Sequence, residues 1–116
     1  MYNQNNIFAK IIRKEISCDK IYEDKNVLFF YDINPQAKIH ILGVPKTPVV
    51  DFSDFIASSD EKTIVNFFQK TKEIIKNLKL EESGYRIITN MGKDANQEVP
   101  HFHIHILGGE NLKNIR

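Results

Sequence analysis

The chain has 116 residues, 41% of them hydrophobic and 27% charged, with 16 Lys and Arg against 15 Asp and Glu for a formal net charge of +1. Such a chain is expected to fold as one globular domain over 1–116, which excludes a disordered polyelectrolyte, and it lacks the basic surplus of a nucleic-acid module. Its lone cysteine, Cys18, excludes an internal disulfide and a Cys-rich zinc cluster.

Residues 1–6 (MYNQNN) contain no basic run leading into an apolar core, so no secretory signal is expected. No stretch approaches the ~20 apolar residues that span a bilayer. The expectation is a cytoplasmic protein with no membrane partner.

Ile7, Phe8, Ile11 and Ile12 recur at helical spacing opposite Lys10, Arg13 and Lys14, which predicts a short amphipathic helix ending near residue 14. Strands follow over 20–22 and 27–31, around a turn at 23–26. Pro35 makes 32–36 a loop, because it lacks a donor and restricts Asn34 to extended conformations. A third strand over 38–44 is stopped by Pro45 and Pro48.

The longest helix is expected over 59–78. Ser58 and Glu61 fit a capping box, and Ile64, Phe67, Phe68, Thr71, Ile74, Ile75 and Leu78 form one apolar stripe. A strand over 84–89, a polar loop over 90–100 and a last strand over 102–107 complete the chain, closed by Gly108 and Gly109. The fold class is therefore α+β: an antiparallel sheet of about five strands, one long and one short helix, with one sheet face covered.

The last strand reads His101-Phe102-His103-Ile104-His105-Ile106-Leu107. Alternate residues of a strand point to opposite faces, so Phe102, Ile104 and Ile106 share the core face and the three histidines share the other. Strand propensity does not explain such a row.

Two chemistries suit it. Neighbouring histidines two residues apart, at ~6.7 Å, can converge on a metal ion, with His40 as a third ligand. No carboxylate is obviously placed to complete that set, and no metal or other cofactor is expected. Alternatively, neutral imidazole is a nucleophile toward phosphorus near pH 7, and its phosphorylated form is labile. Neighbouring donors would then stabilise charge on the phosphate.

The sequence His-x-His-x-His followed by two apolar residues resembles the histidine triad (HIT) superfamily, and the flanks resemble its Hint branch. Residues 7–16 (IFAKIIRKEI) look like the N-terminal segment of that branch. Residues 30–37 (FYDINPQA), followed by His40 and by Val44-Pro45-Lys46, look like its nucleoside-binding portion. Asn90-Met91-Gly92, then Gln97-Glu98-Val99-Pro100-His101 and Leu107-Gly108-Gly109, also fit. The likeness covers nearly the whole chain except the tail, 110–116.

The resemblance implies a HIT fold, a homodimer, and hydrolysis of purine nucleoside phosphoramidates. By it, His103 is the nucleophile, forming a nucleotidyl intermediate that water resolves to AMP or GMP. His105 contacts the phosphate, and His101 with His40 holds the triad through hydrogen bonds. Asp32 accepts from the ribose hydroxyls, Ile33 packs near the base, and Asn90 lies near the ribose-phosphate. Asn96, Gln97 and Glu98 line the phosphate, with the amides of Glu98 and Val99 as donors.

Each flanking residue also has a plainer reading: Asp32 and Asn90 as turn residues, His40 as a core histidine. Rival functions are a dinucleoside polyphosphate hydrolase of a sister branch, a nucleotide-sensing protein and a zinc-binding module.

Two departures stand out. Many relatives have Gly-Gln-Ser where this chain has Asn96-Gln97-Glu98. Asn can adopt the left-handed conformation of a glycine, but an ionised carboxylate beside a phosphate is repulsive, so the Glu98 side chain is expected to turn away. The tail also lacks the aromatic residues that reach across the dimer in some relatives.

Overall fold

The computed structural model describes residues 1–115. The first helix, α1 (Ile7–Ile12), starts at Asn6, whose side-chain oxygen accepts from the Ala9 amide. That bond satisfies one of the amides a helix start leaves free. Strands β1 (Lys20–Glu23), β2 (Val27–Tyr31) and β3 (Ile39–Pro45) follow as an antiparallel meander. Asp24 ties the first turn by accepting from the amides of Asn26 and Val27.

Helices α2 (Phe52–Ser58) and α3 (Glu61–Asn77) come next, then β4 (Tyr85–Ile88) and β5 (Ile104–Gly108). The strand order is β1-β2-β3-β5-β4 with every pair antiparallel. The α+β class and five-stranded sheet match expectation.

Four details differ from the sequence reading. A second short helix, α2, joins the expected pair. Asp51 caps it by accepting from the Asp54 amide, and Phe55 is its one buried residue. The cap of α3 is Asp60, which accepts from Thr63, and not Ser58; the Ser58 hydroxyl instead donates to Asp54. A carboxylate next to the first helical residue outcompetes the more distant serine.

The last strand joins the ladder only at Ile104, because Phe102 donates its amide to Val49 outside the sheet. Finally, both sheet faces carry apolar clusters. On one face Val27, Phe29, Ile41, Ile104 and Ile106 pack with Phe55 of α2 and Phe67, Ile74 and Ile75 of α3. On the other, Leu28, Phe30, Leu42 and Val44 pack with Phe8 and Ile11 of α1. A short helix with only three buried residues is enough to close this second face.

The centre of the sheet is packed tightly. A Cβ on Gly43 of β3 would stand 2.5 Å from the Phe29 ring, so no larger residue fits there without moving that ring.

Candidate active site

The sheet register places the histidines. His40 on β3 pairs with Leu107 on β5, and Leu42 pairs with His105. His40 and His105 are therefore diagonal neighbours on one face, and their rings lie 5.1 Å apart. The His103 ring follows at 5.2 Å from that of His105. Phe8 of α1 lies edge-on over His103 at 4.8 Å. The histidine face is thus a covered one: His40, His101 and His103 are buried and His105 is half-buried.

Hydrogen-bond partners determine where each ring carries its proton. Burial pushes the pKa of all four histidines down, to about 4 for His101 and His105, so the rings are neutral at pH 7. For His101 the Pro45 carbonyl bond opposes this and the nearby His103 reinforces it; for His105 the neighbouring His103 and His40 add to burial. The His103 value is lowered by burial and partly restored by its bond to the His101 carbonyl and by the charges of Asp32 and Glu98.

The Gln36 amide can only donate, so His40 Nδ1 accepts and His40 Nε2 carries hydrogen. His40 Nε2 lies 2.9 Å from His105 Nδ1 and 3.4 Å from Asp32 Oδ2. Donation to His105 Nδ1 leaves His105 with its hydrogen on Nε2. His103 Nδ1 lies 2.7 Å from the His101 carbonyl, which can only accept, so His103 Nε2 is bare. His101 Nε2 donates to the Pro45 carbonyl at 2.8 Å.

No buried side-chain nitrogen or oxygen among the described residues lacks a partner. His103 Nε2 and His105 Nε2 make no such bond, so both reach the surface. The site thus offers a lone pair on His103 beside an N–H donor on His105.

The remaining expected residues fall in distinct places. Asp32 is half-buried; one oxygen faces His40 and the other accepts from the Asn34 amide, the Asx turn of its plainer reading. Its carboxylate joins His40 and His105 with ligand atoms all within 4.8 Å, a set able to hold a metal ion once the His40–His105 bond is given up. A carboxylate is therefore placed there, contrary to the sequence reading.

Ile33 is 86% exposed. Asn90 follows Thr89, whose hydroxyl donates to the His103 carbonyl. Asn96 adopts the left-handed conformation expected of it, with φ of 55°. Glu98 is exposed, yet near enough for its charge to raise the His103 value. The Gln97 side chain braces the loop: it donates to the carbonyls of Val50 and Val99 and accepts from the Gly92 amide. The Glu98 and Val99 amides donate to no group among the described residues.

His101 meets His103 through its carbonyl, while its ring bonds the Pro45 carbonyl and the Tyr2 hydroxyl. Four contributors escaped the sequence reading: Tyr2, Phe8, Thr89 and the Gln36 amide. Phe8 was visible as helix stripe, but nothing in the sequence tied the other three to the histidines.

Among the described residues no helix is long and apolar enough to cross a membrane.

The HIT domain family model matches residues 13–112. A 13.2 kDa HIT-like protein of Azospirillum brasilense is 49% identical over 111 residues, covering 96% of this chain and 91% of that one. The purine nucleoside phosphoramidase of Escherichia coli is 38% identical over 109 residues, covering 94% and 91%. The crystal structure of a HIT family hydrolase from Legionella pneumophila superposes with a TM-score of 0.85 at 38% identity, covering 91% of this chain and 94% of that one. The chain belongs to the HIT family, a superfamily of hydrolases and nucleotide-binding proteins.

Proposed function

We propose that the protein hydrolyses purine nucleoside 5'-phosphoramidates through a nucleotidyl-His103 intermediate. One observation carries the reading: the hydrogen-bond network leaves a bare nitrogen on His103 next to an N–H on His105. His103 Nε2 attacks the α-phosphorus, the P–N bond breaks, and the leaving nitrogen takes a proton from solvent water and departs as the amine. Water then attacks the phosphorus and gives up a proton to solvent, the His103–P bond breaks, and AMP or GMP leaves. His105 Nε2–H donates to a phosphoryl oxygen as its charge grows, and the free amides of Glu98 and Val99 supply further donors.

Asp32 would turn its carboxylate to the ribose hydroxyls, Ile33 would cover the base, and Asn90 would lie by the ribose-phosphate. Asn96 and Gln97 would shape the phosphate loop, Gln97 by bracing it. The relatedness to the Escherichia coli phosphoramidase supports the substrate class. A homodimer, read as a proposal, has a candidate seam in β4. That strand is an outer edge of the sheet, with Tyr85 and Ile87 exposed. A cytoplasmic setting suits the unpaired Cys18.

His103→Ala decides the reading. Release of AMP from adenosine 5'-phosphoramidate should fall by several orders of magnitude while AMP binding persists. Full activity in that variant overturns the assignment. Faster turnover of a diadenosine polyphosphate than of the phosphoramidate would move the protein to the sister activity.

A further inference from the structure

We propose that Tyr2 is a positioning residue for the His103 nucleophile, acting through His101. The inference rests on the reading of His103 given above. The orientation of His103 depends on one acceptor, the His101 carbonyl. That carbonyl lies outside the β5 ladder, which begins at Ile104. No regular strand pairing fixes its direction, so other bonds must.

Those bonds converge on His101 itself. Its amide donates to the Val99 carbonyl and the next amide, on Phe102, donates to Val49. Its ring is fully buried and held at both nitrogens: Nε2–H donates to Pro45, and Nδ1 lies 2.5 Å from the Tyr2 hydroxyl. Nδ1 is bare in this tautomer, so the phenol donates. The Tyr2 ring also meets the His101 ring edge-on, with centroids 5.5 Å apart.

The residue after Tyr2 is tied to the start of α1. Asn6 caps α1 and also bonds back to the Asn3 carbonyl through both its amide and its side chain. The relay therefore runs from Tyr2 Oη–H to the His101 ring, and from the His101 carbonyl to His103 Nδ1–H. It leaves His103 Nε2 bare and aimed outward.

Tyr2→Phe tests the relay, because it removes the hydroxyl and keeps the ring that fills the space. Two measurements on the full chain are paired: histidine ring 15N spectra, and kcat with KM for adenosine 5'-phosphoramidate. In the variant the His101 Nδ1 signal should move toward that of an unbonded nitrogen, and the His103 ring signals should shift with it. The kcat should fall about tenfold, equivalent to ~1.4 kcal/mol of barrier, with KM within about twofold.

Unchanged ring signals, or unchanged kcat, overturn the proposal. A rise in KM with kcat retained also overturns it, since that marks a substrate contact and not positioning. If the wild-type chain itself shows no turnover, the reaction assignment fails. The ring spectra then still decide whether Tyr2 sets the His101 and His103 rings.

Discussion

Acidification from pH 7 to pH 5 should unfold this protein far more readily than its surface charges would suggest. His101 and His105 ionise near 4 in the folded chain against 6.5 when exposed, chiefly through burial. Both values are lowered, so between about 4 and 6.5 the unfolded chain binds more protons than the folded one. Stability is then full above 6.5 and is lost as the pH falls toward 4. Each of the two should contribute ~2 kcal/mol of loss between pH 7 and pH 5, ~4 kcal/mol together.

His40 and His103 are lowered in the same direction and add to it. Against a usual total of ~5–15 kcal/mol this is a large fraction. In a domain of this size it lowers Tm by roughly 15 °C. Urea unfolding at the two pH values measures it directly. His101→Gln should keep a donor for Pro45 and an acceptor for Tyr2 while removing one titration. Its loss of stability should then be smaller than that of the wild type by ~2 kcal/mol. Equal stability at pH 7 and pH 5 in the wild type refutes the reasoning, as does an undiminished loss in His101→Gln.

Three further outcomes are expected. Glu98→Gln removes a charge that raises the His103 value, so the acid limb of kcat should move to lower pH while kcat on the plateau stays within about threefold; a collapse of kcat would instead make the carboxyl the acid that protonates the leaving group. Gly43→Ala forces a methyl onto the Phe29 ring and should lower unfolding stability by ~1–3 kcal/mol, read by urea denaturation. Chelation should leave hydrolysis of the phosphoramidate unchanged, whereas a stoichiometric zinc ion on Asp32, His40 and His105 in protein purified without added metal would replace the His40–His105 hydrogen bond and contradict the metal-free site.

The strands were legible because period-two alternation and the Pro and Gly stops are local signals. The stretch 101–107 carries the alternation and Pro45 the stop, whereas Val27 to Tyr31 is an unbroken apolar run recognised by its bounding turns. Helix α2 was missed although Phe52, Phe55 and Ile56 have helical spacing and Asp51 can cap. Seven residues with one buried side chain give a weak pattern. The grouping of His40 with the triad was anticipated, but its mechanism was not: a diagonal β3–β5 pair set by register, with a tautomer fixed by the Gln36 amide.

The covered histidine face was misjudged for a related reason. Alternation shows which side chains share a face. It says nothing of what lies over that face, and here α1 does. Tyr2 lies 99 residues from His101 along the chain, and no local pattern reports a contact of that range.

The double use of β5 has a consequence for how the protein fails. Ile104 and Ile106 face the main core while His105 faces the site between them. A slip of one residue would bury imidazole among phenylalanines and bring isoleucine to the reaction centre, so no partly shifted strand keeps either function. Loss of chemistry and loss of the core are then one event. A simple turnover assay on this chain is a gauge of its folded fraction.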